Sequence, residues 1–90
     1  MLVLPESITH ASAAACLASL SRTLDNESGT ELVLDAGGLS RFDSTALAVL
    51  LEARRNVLKI GKKLVLKNAP QRLQDLAALY GIAELLPAAA

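Results

Sequence analysis

Side chains able to do chemistry are few in this chain, and they concentrate in one place. Asp43, Ser44 and Thr45 stand together, an acid followed by two hydroxyls. Upstream, Glu31-Leu32-Val33-Leu34-Asp35 has the form of a short buried strand, an apolar run between charged edges. Downstream, Ala46 to Leu58 carries helical periodicity with neither Pro nor Gly. The three polar residues therefore fall where a helix begins and where its first N–H groups lack intrahelical partners. A hydroxyl or carboxylate there can cap the helix. A phosphorylated hydroxyl there is also favoured, by the same N–H groups and by the positive end of the helix dipole. The local pattern leaves both roles open.

The remaining reactive side chains do not assemble into a catalytic pattern. The chain has one histidine, His10, and one cysteine, Cys16. A triad of Ser44, His10 and Asp43 would place acid and nucleophile side by side, whereas the acid of a triad orients the histidine from its far side. Gly37-Gly38 follows a strand, but the other glycines and the lysine of a phosphate loop are missing, so the pair is read as a turn. Without a cluster of carboxylates or metal-type ligands, we expect no enzyme, no metal and no cofactor. Cys16 lies in an apolar helical pattern and is expected as a small core residue in a reducing compartment.

Composition sets the frame for these residues. The sequence predicts a single domain over residues 1–90, with room for one core. Hydrophobic residues make up 52% but aromatics only 2%, so that core must be built from Leu, Val, Ile and Ala. Residues 1–45 hold six acids and two bases, residues 46–90 three acids and seven bases, and the net charge is zero. That balance argues against a nucleic-acid partner. No apolar stretch is long enough to span a bilayer and no leader pattern opens the sequence, so a cytoplasmic protein without membrane insertion is expected.

The elements that must position the polar turn follow from the hydrophobic pattern. Leu2-Val3-Leu4, stopped by Pro5, reads as a first strand. Ser7 or Thr9 is expected to cap a helix running to about Leu24, with Ala13, Cys16, Leu17, Leu20 and Leu24 on its core face. After the polar stretch Asp25 to Thr30 come the Glu31 to Ala36 strand, the glycine pair and the second helix, which Gly61 ends. Lys62 to Lys67 reads as a third strand, and Asn68-Ala69-Pro70 leads into a third helix with Leu73, Leu76, Ala77 and Tyr80 inward and Gly81 as its stop. Ile82 to Leu86 adds a short apolar tail. Strand and helix alternating in this way predict an α/β fold. We expect an open sheet of three or four mostly parallel strands, with three helices packed mainly on one face. The second helix carries two stripes: Ala46, Val49, Leu50, Ala53 and Val57 satisfy the core, while Leu47, Leu51, Arg54 and Leu58 form a neighbouring one. That second stripe serves either a partner or the third helix.

At Asp43-Ser44-Thr45-Ala46-Leu47 the chain resembles the STAS domain, the fold of anti-sigma factor antagonists and sulfate transporter tails, whose hallmark is Asp-Ser-(Ser/Thr)-Gly-Leu at the start of its second helix. Leu4-Pro5-Glu6-Ser7-Ile8-Thr9 resembles the family's lead into its first helix, Leu32-Val33-Leu34-Asp35 its apolar strand ending in Asp, and Gly61-Lys62-Lys63-Leu64 its lead into the next strand. Pro5 and Ala46 stand where the family usually has Gly. The Ala46 methyl is expected at a position where a partner backbone approaches. The stretch from Leu79-Tyr80-Gly81-Ile82 to Leu86-Pro87 is similar to the ending of the MlaB-type subfamily.

The resemblance implies a non-catalytic cytoplasmic subunit, peripheral at the inner membrane through its partner. It would bind the MlaF-type ATPase of an Mla phospholipid-transport ABC complex with permease and substrate-binding subunits, and so support outer-membrane lipid asymmetry. Ser44 carries over as the phosphoacceptor or contact position, and Asp43, Thr45, Leu47, Leu51 and Arg54 surround it as the partner-binding face. The alternative is an anti-sigma factor antagonist regulated by phosphorylation of Ser44. A further option is contact with anionic lipid through Arg54, Arg55, Lys59, Lys62 and Lys63, against an ordinary solvated helix end.

Overall fold

The structure is a computed structural model and describes residues 2–26 and 29–87. In chain order its elements are β1 (Leu2–Val3), β2 (Ser7–Ile8), α1 (Ala13–Asp25), β3 (Glu31–Asp35), β4 (Arg41–Phe42), α2 (Ser44–Lys59), β5 (Lys63–Lys67), α3 (Gln71–Leu79) and a 3₁₀ turn at Ala83–Leu85. Residues 27 and 28 of the polar stretch after α1, and the final alanines 88–90, lie outside the described residues.

The fold is α/β. An open parallel sheet has the order β1-β3-β5, and a second parallel pair, β2-β4, stands beside it. Register between β3 and β5 sets Leu32 against Leu64 and Leu34 against Leu66, with Glu31 opposite Lys63 and Asp35 opposite Lys67 at the two ends. Opposite charges at both ends favour this pairing over a one-residue slip, which would also turn the leucines away from the core. The four leucines share one sheet face, and the buried residues of all three helices gather on it: Leu20 and Leu24 from α1, the five residues of the first α2 stripe, and Leu73 and Ala77 from α3. Val65, on the other face, is buried apart from that cluster. An Asn56 to Ser21 side-chain hydrogen bond of 3.2 Å ties α2 to α1. Among the described residues no helix is long and apolar enough to cross a membrane.

Helices α2 and α3 both stop near a glycine for a physical reason. Gly61 follows α2 and Gly81 follows α3, at φ +76° and +71°. That left-handed backbone lets Lys62 N–H reach the Val57 carbonyl and Ile82 N–H reach the Ala77 carbonyl, closing each helix end.

Three expectations are corrected. Ser7 belongs to β2, and neither Ser7 nor Thr9 caps α1, which starts only at Ala13. Ser12 occupies the cap position, yet its hydroxyl is bonded back to Thr9 rather than forward into the helix. Tyr80, expected inward, is 58% exposed, because α3 ends at Leu79 and the chain turns before another inward position is reached. Leu76 is only half-buried against the core.

Candidate functional site

The polar turn lies between β4 and α2, and its capping residue is Asp43 rather than a hydroxyl. Asp43 is extended (φ −127°, ψ −164°), its carboxylate accepts the Thr45 N–H at 2.8 Å, and its carbonyl accepts the Ala46 N–H at 3.0 Å. Two of the helix's orphan N–H groups are thereby satisfied by one residue. The same contacts hold the Asp43 carboxyl below its ordinary value: the Thr45 side chain contributes most and the Thr45 N–H next, against a slight desolvation, with the nearby His10 adding to the effect. Asp43 is thus a fixed carboxylate at neutral pH.

Ser44 is the first residue of α2 and is exposed, and among the described residues its hydroxyl makes no hydrogen bond. It stands one residue beyond the carboxylate, at the positive end of a 16-residue helix. Such a hydroxyl is open to a partner's polar groups or to a phosphoryl group. It is not arranged as a catalytic nucleophile, because His10 acts on the charge of Asp43 but shares no hydrogen bond with Ser44. Among the described residues no group of three or more His, Cys, Asp or Glu is placed to hold a metal ion. Cys16 is half-buried against the core, and burial pushes its thiol up, away from the reactive thiolate.

The turn is held by the loop that leads into it and by residues far from it in sequence. At the end of β3 the Asp35 carboxylate accepts the Gly37 N–H at 2.8 Å and faces the Asn68 amide at 3.4 Å. The Gly37 N–H above all, then Asn68 and Lys67, keep this carboxyl below its ordinary value, against some desolvation. A methyl on Gly37 would lie 3.1 Å from that carboxylate and 3.2 Å from the Asn68 Cβ, so a larger residue there would push both side chains aside by a few tenths of an ångström. Leu39 then drops into the core, and Ser40 and Arg41 N–H groups both donate to the Glu6 carbonyl, at 2.8 and 3.0 Å. From there β4 pairs with β2, Ile8 opposite Phe42, and delivers the chain to Asp43.

The expected contact residues divide. Asp43, Ser44 and Thr45 are together in the turn, with Thr45 half-buried. Leu47 is only 4% exposed and belongs to the core, so it supports the turn from beneath and presents no surface to a partner. Ala46 is fully buried, so its methyl faces the core and not an approaching backbone, correcting the expectation drawn from its place in the motif. Leu51 and Arg54 are half-buried and line an open groove of about 620 Å³ with Ala48, Glu52, Arg55, Leu58, Lys59 and Leu85. The third helix contributes nothing to that lining; Leu85 of the 3₁₀ turn does. The second stripe of α2 therefore stays uncovered from Leu51 onward.

Sequence reasoning missed β4 and Arg72. The Arg72 guanidinium, in the first turn of α3, lies 4.4 Å from the centroid of the Phe42 ring and donates to the Phe42 carbonyl. No local signal marks it, since the two residues are 30 apart in sequence.

A comparison with curated proteins gives no match. A family model described as "Mlab, STAS domain" matches residues 1–87, nearly the whole chain, including the Asp43-Ser44-Thr45 turn. With its parallel sheet, three helices and this turn at the start of α2, the chain belongs to the STAS-domain family, in its MlaB type.

Proposed function

We propose that this chain is a non-catalytic docking subunit that binds the ATPase of an Mla-type ABC transporter. Its docking face is the Asp43-Ser44-Thr45 turn with the adjoining Leu51 and Arg54. The observation that carries the reading is the state of that turn: Asp43 and Ser44 exposed, pre-ordered by the Asp43 cap, and followed along the same helix by an open groove that begins at Ala48 and Leu51. A surface ordered before binding loses little conformational entropy on association. An apolar centre at Leu51 with polar and charged groups around it has the layout of a protein interface. In this reading the subunit sits on the cytoplasmic side of the inner membrane through its partner. It supports assembly and activity of a complex with permease and substrate-binding subunits, and so outer-membrane lipid asymmetry. The test is co-purification of the chain with a MlaF-type ATPase from the same genome, and comparison of ATP turnover with and without it. Failure to associate at micromolar concentrations sinks the reading.

One observation favours a second reading. The Ser44 hydroxyl is exposed and without a hydrogen bond among the described residues, which suits a kinase substrate. Phosphorylation would add about −1.5 to −2 charges beside the Asp43 carboxylate and release a partner by repulsion, as in an anti-sigma factor antagonist. A sigma factor and a kinase encoded beside this chain would support that reading, and a permease with an ATPase the first.

A further inference from the structure

We infer that Arg72 is a positioning residue for the docking turn, acting across the domain from α3. This rests on the reading of that turn as the docking face.

The turn has little local restraint of its own. The strand that leads into it, β4, is two residues long and pairs with an equally short β2. The Asp43 cap fixes the start of α2 but not the peptide that joins Phe42 to Asp43. Arg72 takes hold of that peptide. Its guanidinium donates to the Phe42 carbonyl and lies over the Phe42 ring, 4.4 Å from its centroid. The ring itself is buried in the core, so it is a fixed platform. A planar cation bound at once to a carbonyl and to the face of the same residue's ring restricts both the peptide plane and the exit direction of the strand. Asp43 and Ser44 inherit that direction. Arg72 in turn is set by Leu73, buried next to it, and by α3, whose first N–H groups bond the Pro70 carbonyl.

The test uses the full-length chain labelled for NMR, with Arg72→Ala and Arg72→Lys. In the alanine variant the order parameters of the Asp43, Ser44 and Thr45 amides fall from about 0.85 towards 0.6, while those of β3 and β5 stay unchanged. Affinity for a purified MlaF-type ATPase weakens about tenfold, or about 1.4 kcal/mol, because a loosened turn must be ordered on binding. Lysine restores only part of both, because it keeps the charge but loses the plane and the fork. If the alanine variant melts too early, Arg72→Gln replaces it, keeping a donor for the carbonyl without the charge. Turn amides as rigid in the variant as in the parent overturn the inference. So does loosening spread evenly through the sheet, which would make Arg72 a general stabiliser. A turn that loosens while affinity stays unchanged upholds the hold of Arg72 on the turn and refutes the docking reading instead.

Discussion

Ser44→Glu separates docking from folding most cleanly. Ser44 is exposed and its hydroxyl holds no partner among the described residues, so the substitution removes no buried contact. It places a negative charge in the first turn of α2, where the helix dipole stabilises it by about 0.3–1 kcal/mol. Repulsion from the neighbouring Asp43 carboxylate opposes this by an amount of the same order in water, about 1 kcal/mol. The two nearly cancel, and the melting temperature should move by less than about 8 °C, the shift that 1 kcal/mol gives in a domain of this size. At the interface the balance is different. A carboxylate desolvated against a partner without a counter-charge costs several kcal/mol, so Kd should rise by more than about 100-fold. The assay is calorimetric titration of each variant into a MlaF-type ATPase, with a thermal melt of the free chain. The control is the Lys62→Ala, Lys63→Ala double variant, which should bind nearly as the parent because exposed charges contribute about 0–1 kcal/mol. If Ser44→Glu binds within about threefold of the parent while the lysine pair proves essential, the docking face lies elsewhere and the turn is only a helix start.

The other predictions divide the site into parts. Leu51→Asp should abolish ATPase binding with the fold retained, whereas Leu47→Ala should lose about 2–5 kcal/mol of stability through a core cavity, and a denaturant titration of both distinguishes them. Reversed results would place the partner surface on the wrong side of the stripe. Asp43 has a folded-state pKa below its ordinary 3.8, so its contribution to stability is present above that value and is lost as the pH falls through the lower folded value. The Thr45 amide resonance should therefore titrate below 3.8, and a midpoint at or above it refutes the cap. Gly37→Ala should destabilise by about 1–3 kcal/mol, since its methyl would crowd Asp35 and Asn68. Gly38→Ala meets nothing within 4 Å and should be neutral or better in the same melt.

Legibility of the fold in the sequence follows the length over which a pattern can repeat. The first stripe of α2 has five members at helical spacing, and all five are buried. The leucines of β3 and β5 stand in runs between charges, and those runs are the strands. By contrast β2 and β4 are two residues each, too short for any alternation to show, and their pairing joins Ser7 to Arg41 across the whole first helix and β3. That is why Ser7 reads as a helix cap and is a strand residue. Leu47 and Leu51 are one turn apart on the same stripe, and periodicity alone gives them the same role. What separates them is their surroundings in the folded chain: Leu47 packs into the core cluster, while Leu51 opens onto the groove beside Leu85. Asp43, Ser44 and Thr45 are all residue types that cap helices, and only the backbone decides which of the three does so.

The site thus divides into a chemical half and a geometric half. The chemical half is local: an acid, a serine and a threonine in sequence, which any reading of the chain encounters and which the family match spans. The geometric half is remote. The Glu6 carbonyl bonds the lead into β4, Leu39 anchors the loop in the core, the Asp35 carboxylate closes the turn after β3, and Arg72 holds the last peptide before the cap. Those four residues come from three separate places in the chain and share no motif. A substitution of Leu39, Asp35 or Arg72, which act through their side chains, would leave the Asp-Ser-Thr signature intact while shifting the surface it presents. A chain could therefore keep the signature and lose the partner. In variants of this domain that keep Asp43, Ser44 and Thr45, docking should still weaken when Arg72 is lost.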